Sequence, residues 1–260
     1  SNVDPSSLNY IEKFDKGYID GTSIFLNEGY LPEEYGNNAV RLGQISGKLG
    51  LEIATKAKIF QEKMCIYSLS NISDFEKEKI YPDNKSLEIL SGDERFIFSK
   101  EALYTELLGL KRAIKYFECD NISFSIPALR NYDNFKKILL NIDDFSLFSK
   151  DEKIPVFAEI SIPSILFTIN QFTDKDIAGF LVDYDILIRL SVNRENLRDS
   201  DHDVAYEQVK IIAENAKRIG IPVYIKMFDI NKIALTKLQE LDPTGFIFSA
   251  FPEEAITDIL

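Results

Sequence analysis

Short, continuous apolar runs recur along the chain, and most are followed by a stretch whose apolar residues have helical spacing. The clearest runs are residues 122–127, 155–160, 179–184, 222–227 and 245–250. Continuous apolar runs, as opposed to alternating ones, predict strands that are buried on both faces, as in a parallel sheet covered by helices. A βα series that extends through most of 260 residues predicts an α/β fold, a closed (β/α)8 barrel of the TIM type.

The segments between these runs predict helices, and the N-terminal part of the chain is harder to interpret. Apolar residues at helical spacing predict helices within 46–63, 99–117, 135–142, 204–219 and 233–241, with Ser99 as the cap of the second. We place a polar N-terminal segment at residues 1–21 and the barrel at 22–260. Within the barrel, we expect early strands at 22–26 and 64–70 and a short one at 87–90.

Composition narrows the classes of function. A net charge of −12 argues against nucleic-acid binding, which needs clustered Lys and Arg, but a local pocket can still attract a small anionic metabolite. No apolar run reaches the length of a membrane span, so we expect no membrane association. Cys65 and Cys119 have neither metal nor redox spacing, which favours a reducing, cytoplasmic location.

In such barrels the chemistry lies at the C-terminal ends of the strands. The residues at the predicted strand ends are Asn71, Pro127, Glu159, Asp183, Lys226 and Ser249. We expect Asn71, Glu159, Asp183 and Lys226 to converge on one mouth.

From about residue 63 onward, the chain resembles the C-terminal phosphoenolpyruvate-binding barrel of the phosphoenolpyruvate synthase, pyruvate phosphate dikinase and enzyme I family. The similar segments are Asp74-Phe75, Gly92 with Asp93-Glu94-Arg95, and residues 107–114, 156–163, 191–196, 220–225 and 245–252. The resemblance rests on the order and spacing of these segments, and it implies a phosphoenolpyruvate/pyruvate-binding barrel and a homodimer.

The resemblance also implies a site in which arginines bind phosphate, a Glu and an Asp hold Mg²⁺, and a Cys protonates the enolate. One phosphate Arg falls on Asn71 and the other on Glu94, beside Arg95, while the cysteine falls on Lys226. The family's phosphohistidine domain has no counterpart here, and His202, the only histidine, is expected to be solvated. The candidate residues are Asn71, Arg95 and Ser249 for substrate binding, Glu159, Asp183 and Asp185 for Mg²⁺, and Lys226 for catalysis.

Each candidate also has a structural interpretation. Glu159 either binds a metal or pairs with Lys226. Asp183 and Asp185 are either metal ligands or helix N-caps. Lys226 is either a desolvated base or Schiff-base amine, or an ion-pair partner.

Three hypotheses follow, and whether the chain is an enzyme stays open among them. In the first, the chain is a non-catalytic binding or regulatory module that has lost the family's arginines and cysteine. In the second, it is a divalent-metal-dependent enzyme that acts on a 2-oxo acid or an enol phosphate, as a phosphotransferase or a lyase. In the third, it is the C-terminal part of a larger phosphoenolpyruvate synthase-like transferase.

Overall fold

The computed structural model describes residues 16–35, 38–60, 62–73, 92–148, 154–194, 196–228 and 231–248. These residues form two compact units, which are described separately below. The first comprises the chain up to Ile126 together with Lys136–Pro155, and the second comprises Pro127–Phe135 and the chain from Val156 onward. None of the described helices is long and apolar enough to cross a membrane.

The first unit contains three parallel strands in chain order, β1 (Gly17–Asp20), β2 (Cys65–Ser68) and β3 (Ile122–Ile126). Gly17 pairs with Cys65, which in turn pairs with Ile122. All residues of β2 and β3 are buried, as expected for strands covered on both faces.

Helices connect the strands of the first unit. They are α1 (Gly21–Glu28), α2 (Ala39–Ile59), α3 (Asp93–Phe98), α4 (Lys100–Phe117) and α5 (Tyr132–Asp144), with a 3₁₀ turn at Pro32–Tyr35. Residues 132–135 of α5 belong to the second unit. Helices α2 and α4 approach each other so closely at Gly50 that a Cβ there would lie 2.9 Å from the carbonyl oxygen of Gly109.

The second unit contains four parallel strands in chain order, β4 (Val156–Ile160), β5 (Gly179–Asp183), β6 (Val223–Met227) and β7 (Gly245–Phe248). Its helices are α6 (Tyr184–Val192), α7 (Asp199–Ile219) and α8 (Lys232–Gln239), with 3₁₀ turns at Pro163–Phe167 and Ile169–Gln171. Helix α7 ends at Gly220, which has a φ of 75°, a conformation that glycine adopts without steric cost.

Two of the local predictions are wrong. Residues 22–26, predicted as a strand, lie in α1, because the Asp20 carboxylate accepts hydrogen bonds from the backbone N–H groups of Thr22 and Ser23 and so starts a helix. The first strand is β1, within the segment that we placed ahead of the barrel. Ser99 precedes α4, but its side chain makes no capping hydrogen bond.

The other predicted strands are confirmed where the structure describes them, with ends that move by one or two residues. The short strand at 87–90, the Asp74-Phe75 pair and the last residues of the run at 245–250 lie outside the described residues.

Candidate functional site

Three ionisable side chains meet at the C-terminal ends of β4, β5 and β6 in the second unit. The Nζ atom of Lys226 lies 2.8 Å from Oε1 of Glu159 and 2.6 Å from Oδ2 of Asp183. All three residues are at least 96% buried, with exposures of 4%, 3% and 1% in that order. We call these three residues the Lys226 cluster.

The strand register explains why a lysine joins the two carboxylates. Lys226 on β6 pairs directly with Asp183 on β5, whereas Glu159 lies on β4, with β5 between it and β6. The long lysine side chain spans this intervening strand. The ring of Phe228 lies 5.1 Å from Nζ, which adds a cation–π contact from a residue just beyond β6.

Burial and charge act in opposite directions on Asp183. Its pKa is raised, chiefly because burial disfavours the carboxylate and also because Glu159 carries like charge, while Lys226 opposes the shift. Asp183 also caps α6, since its Oδ1 accepts a hydrogen bond from the Ile186 N–H at 3.1 Å. Both the ion pair and the N-cap proposed from the sequence are therefore present in the structure.

Asp185 has a different environment from Asp183, although only one residue separates them. Its Oδ2 accepts a hydrogen bond from the backbone N–H of Phe228. This bond joins the first turn of α6 to the segment after β6. Its carboxylate is therefore engaged by backbone in a structural contact.

The donor set does not fit a resident divalent cation. The two carboxylates that a metal would need, Glu159 and Asp183, hold the ammonium group of Lys226 between them. Among the residues that the structure describes, no group of three or more His, Cys, Asp or Glu side chains is arranged to hold a metal. A cation placed here would have to displace Lys226 or be repelled by it.

A second buried ionic cluster lies in the first unit, around Arg95 of α3. The Arg95 guanidinium is fully buried; its Nε donates to Glu33, and its Nη1 donates to the carbonyl and, at 2.8 Å, to the hydroxyl oxygen of Ser70. Glu106 accepts hydrogen bonds from the Tyr67 hydroxyl and from the backbone and hydroxyl of Ser70. We call these five residues the Arg95 cluster.

The substrate-binding role of Arg95 stays a prediction, and the structure shows a structural environment for this residue. Its guanidinium is fully buried, and its Nε and Nη1 atoms are engaged by Glu33 and Ser70. Burial raises the pKa of Glu106, with Arg95 and the hydrogen bonds from Ser70 and Tyr67 opposing the shift. Burial also raises the pKa of Tyr67 well above its ordinary value, as does the nearby Glu106.

Asn71 connects three segments of the first unit. Its backbone N–H donates to the Thr22 hydroxyl at 2.8 Å, and its side-chain oxygen accepts from the Gly92 N–H at 3.1 Å. Gly92 precedes α3 with a φ of 66° and a ψ of −146°, a region essentially restricted to glycine. Ser249, the third substrate-binding candidate, lies outside the described residues.

His202 is buried, so the expectation that it is solvated is wrong. It is 8% exposed, and its Nδ1 and Nε2 atoms lie 2.9 Å from the Tyr184 hydroxyl and 3.2 Å from the Asn231 amide nitrogen, respectively. Its charged sequence neighbours suggested a solvated loop, but it lies in the first turn of α7. Only the amphipathic spacing of α7 could have indicated that this turn has a buried side.

The solved structures to which this chain is similar include an aldolase and a malate synthase. The HpcH/HpaI aldolase from Desulfitobacterium hafniense DCB-2 has a TM-score of 0.51 at 10% identity, and the match covers 98% of this chain and 85% of the aldolase. The Haloferax volcanii malate synthase, solved as a lead(II) complex, has a TM-score of 0.53 at 9% identity, with coverage of 90% and 69%. No family model and no curated protein sequence matches this chain.

At these identities the likeness concerns the fold alone. It confirms the predicted fold class, an α/β barrel fold of the TIM type. The two structures are an aldolase and a malate synthase, so the finer resemblance to phosphoenolpyruvate synthase does not follow from them. The chain therefore has the barrel fold that its apolar runs predicted.

Proposed function

We propose that this chain is a non-catalytic binding or regulatory module, built on a phosphoenolpyruvate synthase-like barrel that has lost the means of phosphoryl transfer. The main support for the proposal is the position of the Lys226 ammonium, which lies 2.8 Å from Glu159 and 2.6 Å from Asp183. In the resemblance, these carboxylates would hold Mg²⁺ and residue 226 would be the proton-donating cysteine. The lysine thus replaces the proton donor and supplies the positive charge that the metal would bring.

The chemistry of an ammonium group supports a structural role. Two adjacent carboxylates stabilise the charged form of Lys226. An ammonium nitrogen has no lone pair, so it can neither attack a carbonyl carbon nor accept a proton. The alternative role as a base or Schiff-base amine would require Lys226 to lose both a proton and its partners.

The charge balance opposes binding of an anion at this point. With all three groups ionised, the Lys226 cluster carries one positive and two negative charges. The other candidate cation, Arg95, is committed to Glu33 and Ser70. A small anionic metabolite would therefore need a different part of the chain, and we do not place it in either cluster.

Calorimetric titration with Mn²⁺ and Mg²⁺ tests the proposal. We expect no micromolar binding to the parent protein and a gain of binding in Lys226→Cys, because that substitution removes the ammonium and leaves both carboxylates in place. The matched control is Lys226→Cys combined with Glu159→Gln, which should lose the gained binding.

A coupled assay for pyruvate formation from phosphoenolpyruvate, with Mg²⁺ present, should give only background turnover. Micromolar Mn²⁺ binding by the parent, or turnover that Glu159→Gln abolishes, would instead support the metal-dependent enzyme acting on a 2-oxo acid or an enol phosphate.

A cytoplasmic location and a homodimer belong to the same proposal. Cys65 and Cys119 are both buried and unpaired as thiols, which is compatible with a reducing compartment. Burial raises the pKa of the Cys65 thiol to about 12, so it is unreactive at neutral pH. Sedimentation velocity would test the dimer directly.

A further inference from the structure

His202 connects three segments of the second unit through its two ring nitrogens. It lies in the first turn of α7, Nδ1 faces the hydroxyl of Tyr184 at the start of α6, and Nε2 faces the side-chain amide of Asn231 just before α8. Its ring also stacks on that of Tyr184, with centroids 5.9 Å apart and planes 9° from parallel. The contacts of His202 thus bring the beginnings of three helices together.

The role of Asn231 determines which imidazole nitrogen carries the proton. Its Oδ1 caps α8 by accepting a hydrogen bond from the Ala234 N–H at 3.0 Å. The atom 3.2 Å from Nε2 of His202 is therefore the amide nitrogen, a donor. Nε2 must accept this bond, so the proton of the neutral ring lies on Nδ1 and is donated to the Tyr184 hydroxyl.

We propose that His202 is a pH-sensitive latch, which holds the start of α8 against α6 and α7 when neutral and releases it when protonated. An imidazolium has N–H groups on both nitrogens, so Nε2–H would face the N–H groups of the Asn231 amide. Rotation of that amide by 180° would restore the contact to His202 but would turn its NH₂ group towards the Ala234 N–H. In either case one hydrogen bond at the start of α8 is lost.

The elements around His202 carry charged groups of both signs. The acidic groups are Asp183 at the end of β5, Asp185 on α6, and Asp199, Asp201 and Asp203 on α7, and the basic ones are Lys226 on β6, Arg194, and Lys232 and Lys237 near and on α8. Several are already paired, since Arg194 lies 3.4 Å from Asp201 and Lys237 pairs with Asp203.

The partner of His202 in this latch, Asn231, lies close in sequence to a residue that contacts Lys226. Asn231 lies three residues after Phe228, whose ring is 5.1 Å from Lys226 Nζ and whose N–H is bonded to Asp185. The inference does not depend on the proposed function, because it concerns the hydrogen bonds of His202 whatever the Lys226 cluster does.

Nitrogen NMR of the imidazole tests the latch, because His202 is the only histidine and its signals need no assignment by mutation. At pH 7.5 we expect the tautomer with the proton on Nδ1. Between pH 7.5 and 5, hydrogen exchange at the Ala234 amide, corrected for its intrinsic pH dependence, should accelerate about fivefold as the cap is lost. A proton on Nε2 at pH 7.5, or an unchanged corrected rate at Ala234 once the ring is protonated, would overturn the proposal.

Two variants sharpen the test. His202→Gln can accept from Asn231 and donate to Tyr184 without titrating, so the exchange rate at Ala234, corrected in the same way, should become independent of pH. Asn231→Asp still caps α8 but offers an acceptor to the imidazolium, so protonation should slow exchange at Ala234. If Asn231→Asp accelerates on acidification as the parent does, the donor–donor conflict is not the cause and the latch is disproved.

Discussion

The two buried ionic clusters have the same charge pattern but are built in different ways. Each places one cation between two carboxylates: Arg95 with Glu33 and Glu106 in the first unit, and Lys226 with Glu159 and Asp183 in the second. The Arg95 cluster draws its cation and Glu106 from helices and Glu33 from a 3₁₀ turn. All three members of the Lys226 cluster come from strand ends.

This difference affects how strongly each cation is held. The arginine fork reaches several acceptors at once, including the carbonyl and hydroxyl oxygens of Ser70, so its charge and its geometry are both specified. Lys226 is a point charge that meets two carboxylates and an aromatic ring. We therefore expect the Arg95 cluster to be the more sensitive of the two to substitution.

Arg95→Met should have the largest effect on stability. The variant leaves Glu33 and Glu106 without their cation and Ser70 without a donor, so we expect a loss of about 3–5 kcal/mol in the free energy of unfolding. Urea denaturation at pH 7 measures it. Arg95→Lys is the matched control and should lose less, because it keeps the charge without the fork; a loss below about 1 kcal/mol for Arg95→Met, smaller than typical for a buried pair, would reverse the ranking of the clusters.

Lys226→Met should lower the free energy of unfolding by less, about 3 kcal/mol at pH 7. This value is at the lower end of the range for breaking a buried ion pair. The loss is moderated because Asp183 already has a raised pKa and can take up a proton when the ammonium is removed. A carboxyl with a raised pKa in the folded state stabilises the fold at low pH and loses that contribution as pH rises. The difference in the free energy of unfolding between parent and variant should therefore shrink on acidification. A difference that grows would contradict this explanation.

The smallest expected effect is that of Glu106→Gln, which should change how the free energy of unfolding depends on pH. The folded protein binds the Glu106 proton more tightly than the unfolded chain, because burial raises this pKa above its ordinary value of 4.5. The Glu106 contribution is therefore fully present below pH 4.5 and declines as pH rises above it. Urea denaturation between pH 4 and 7 should show the parent losing stability relative to the variant as pH increases, whereas parallel curves would mean that Glu106 does not titrate in this range.

The contrast between the clusters also explains what could be predicted from the sequence. Glu159, Asp183 and Lys226 each lie next to the last residue of a continuous apolar run, and parallel strands present their C-terminal ends at one edge of a sheet, so the pattern predicted their proximity. The pairing of Lys226 with Glu159 was one of two alternatives, and the structure selects it. Whether these residues bind any ligand stays a prediction.

The Arg95 cluster and the His202 contacts had no comparable signal. Glu33, Arg95 and Glu106 are widely separated along the chain and occupy no repeated position in the βα series. Arg95 was interpreted as a phosphate ligand because of a neighbouring motif, and His202 as solvated because its neighbours are charged. The burial of both residues, and with it the error at His202, has one cause: burial of a polar side chain on a helix depends on what packs against that helix.

The sequence by itself determined the alternation of buried strands and amphipathic helices, and with it the barrel fold class. The reason is that apolar periodicity is a local property of the sequence and does not depend on which segments pack together. It also determined which charged residues end the strands of the second unit. Only the tertiary structure decided how those charges are neutralised. The Lys226 ammonium lies between two carboxylates because of the strand register and the length of the lysine side chain. Both act between residues that are far apart in the chain, so local sequence patterns do not reveal the contact.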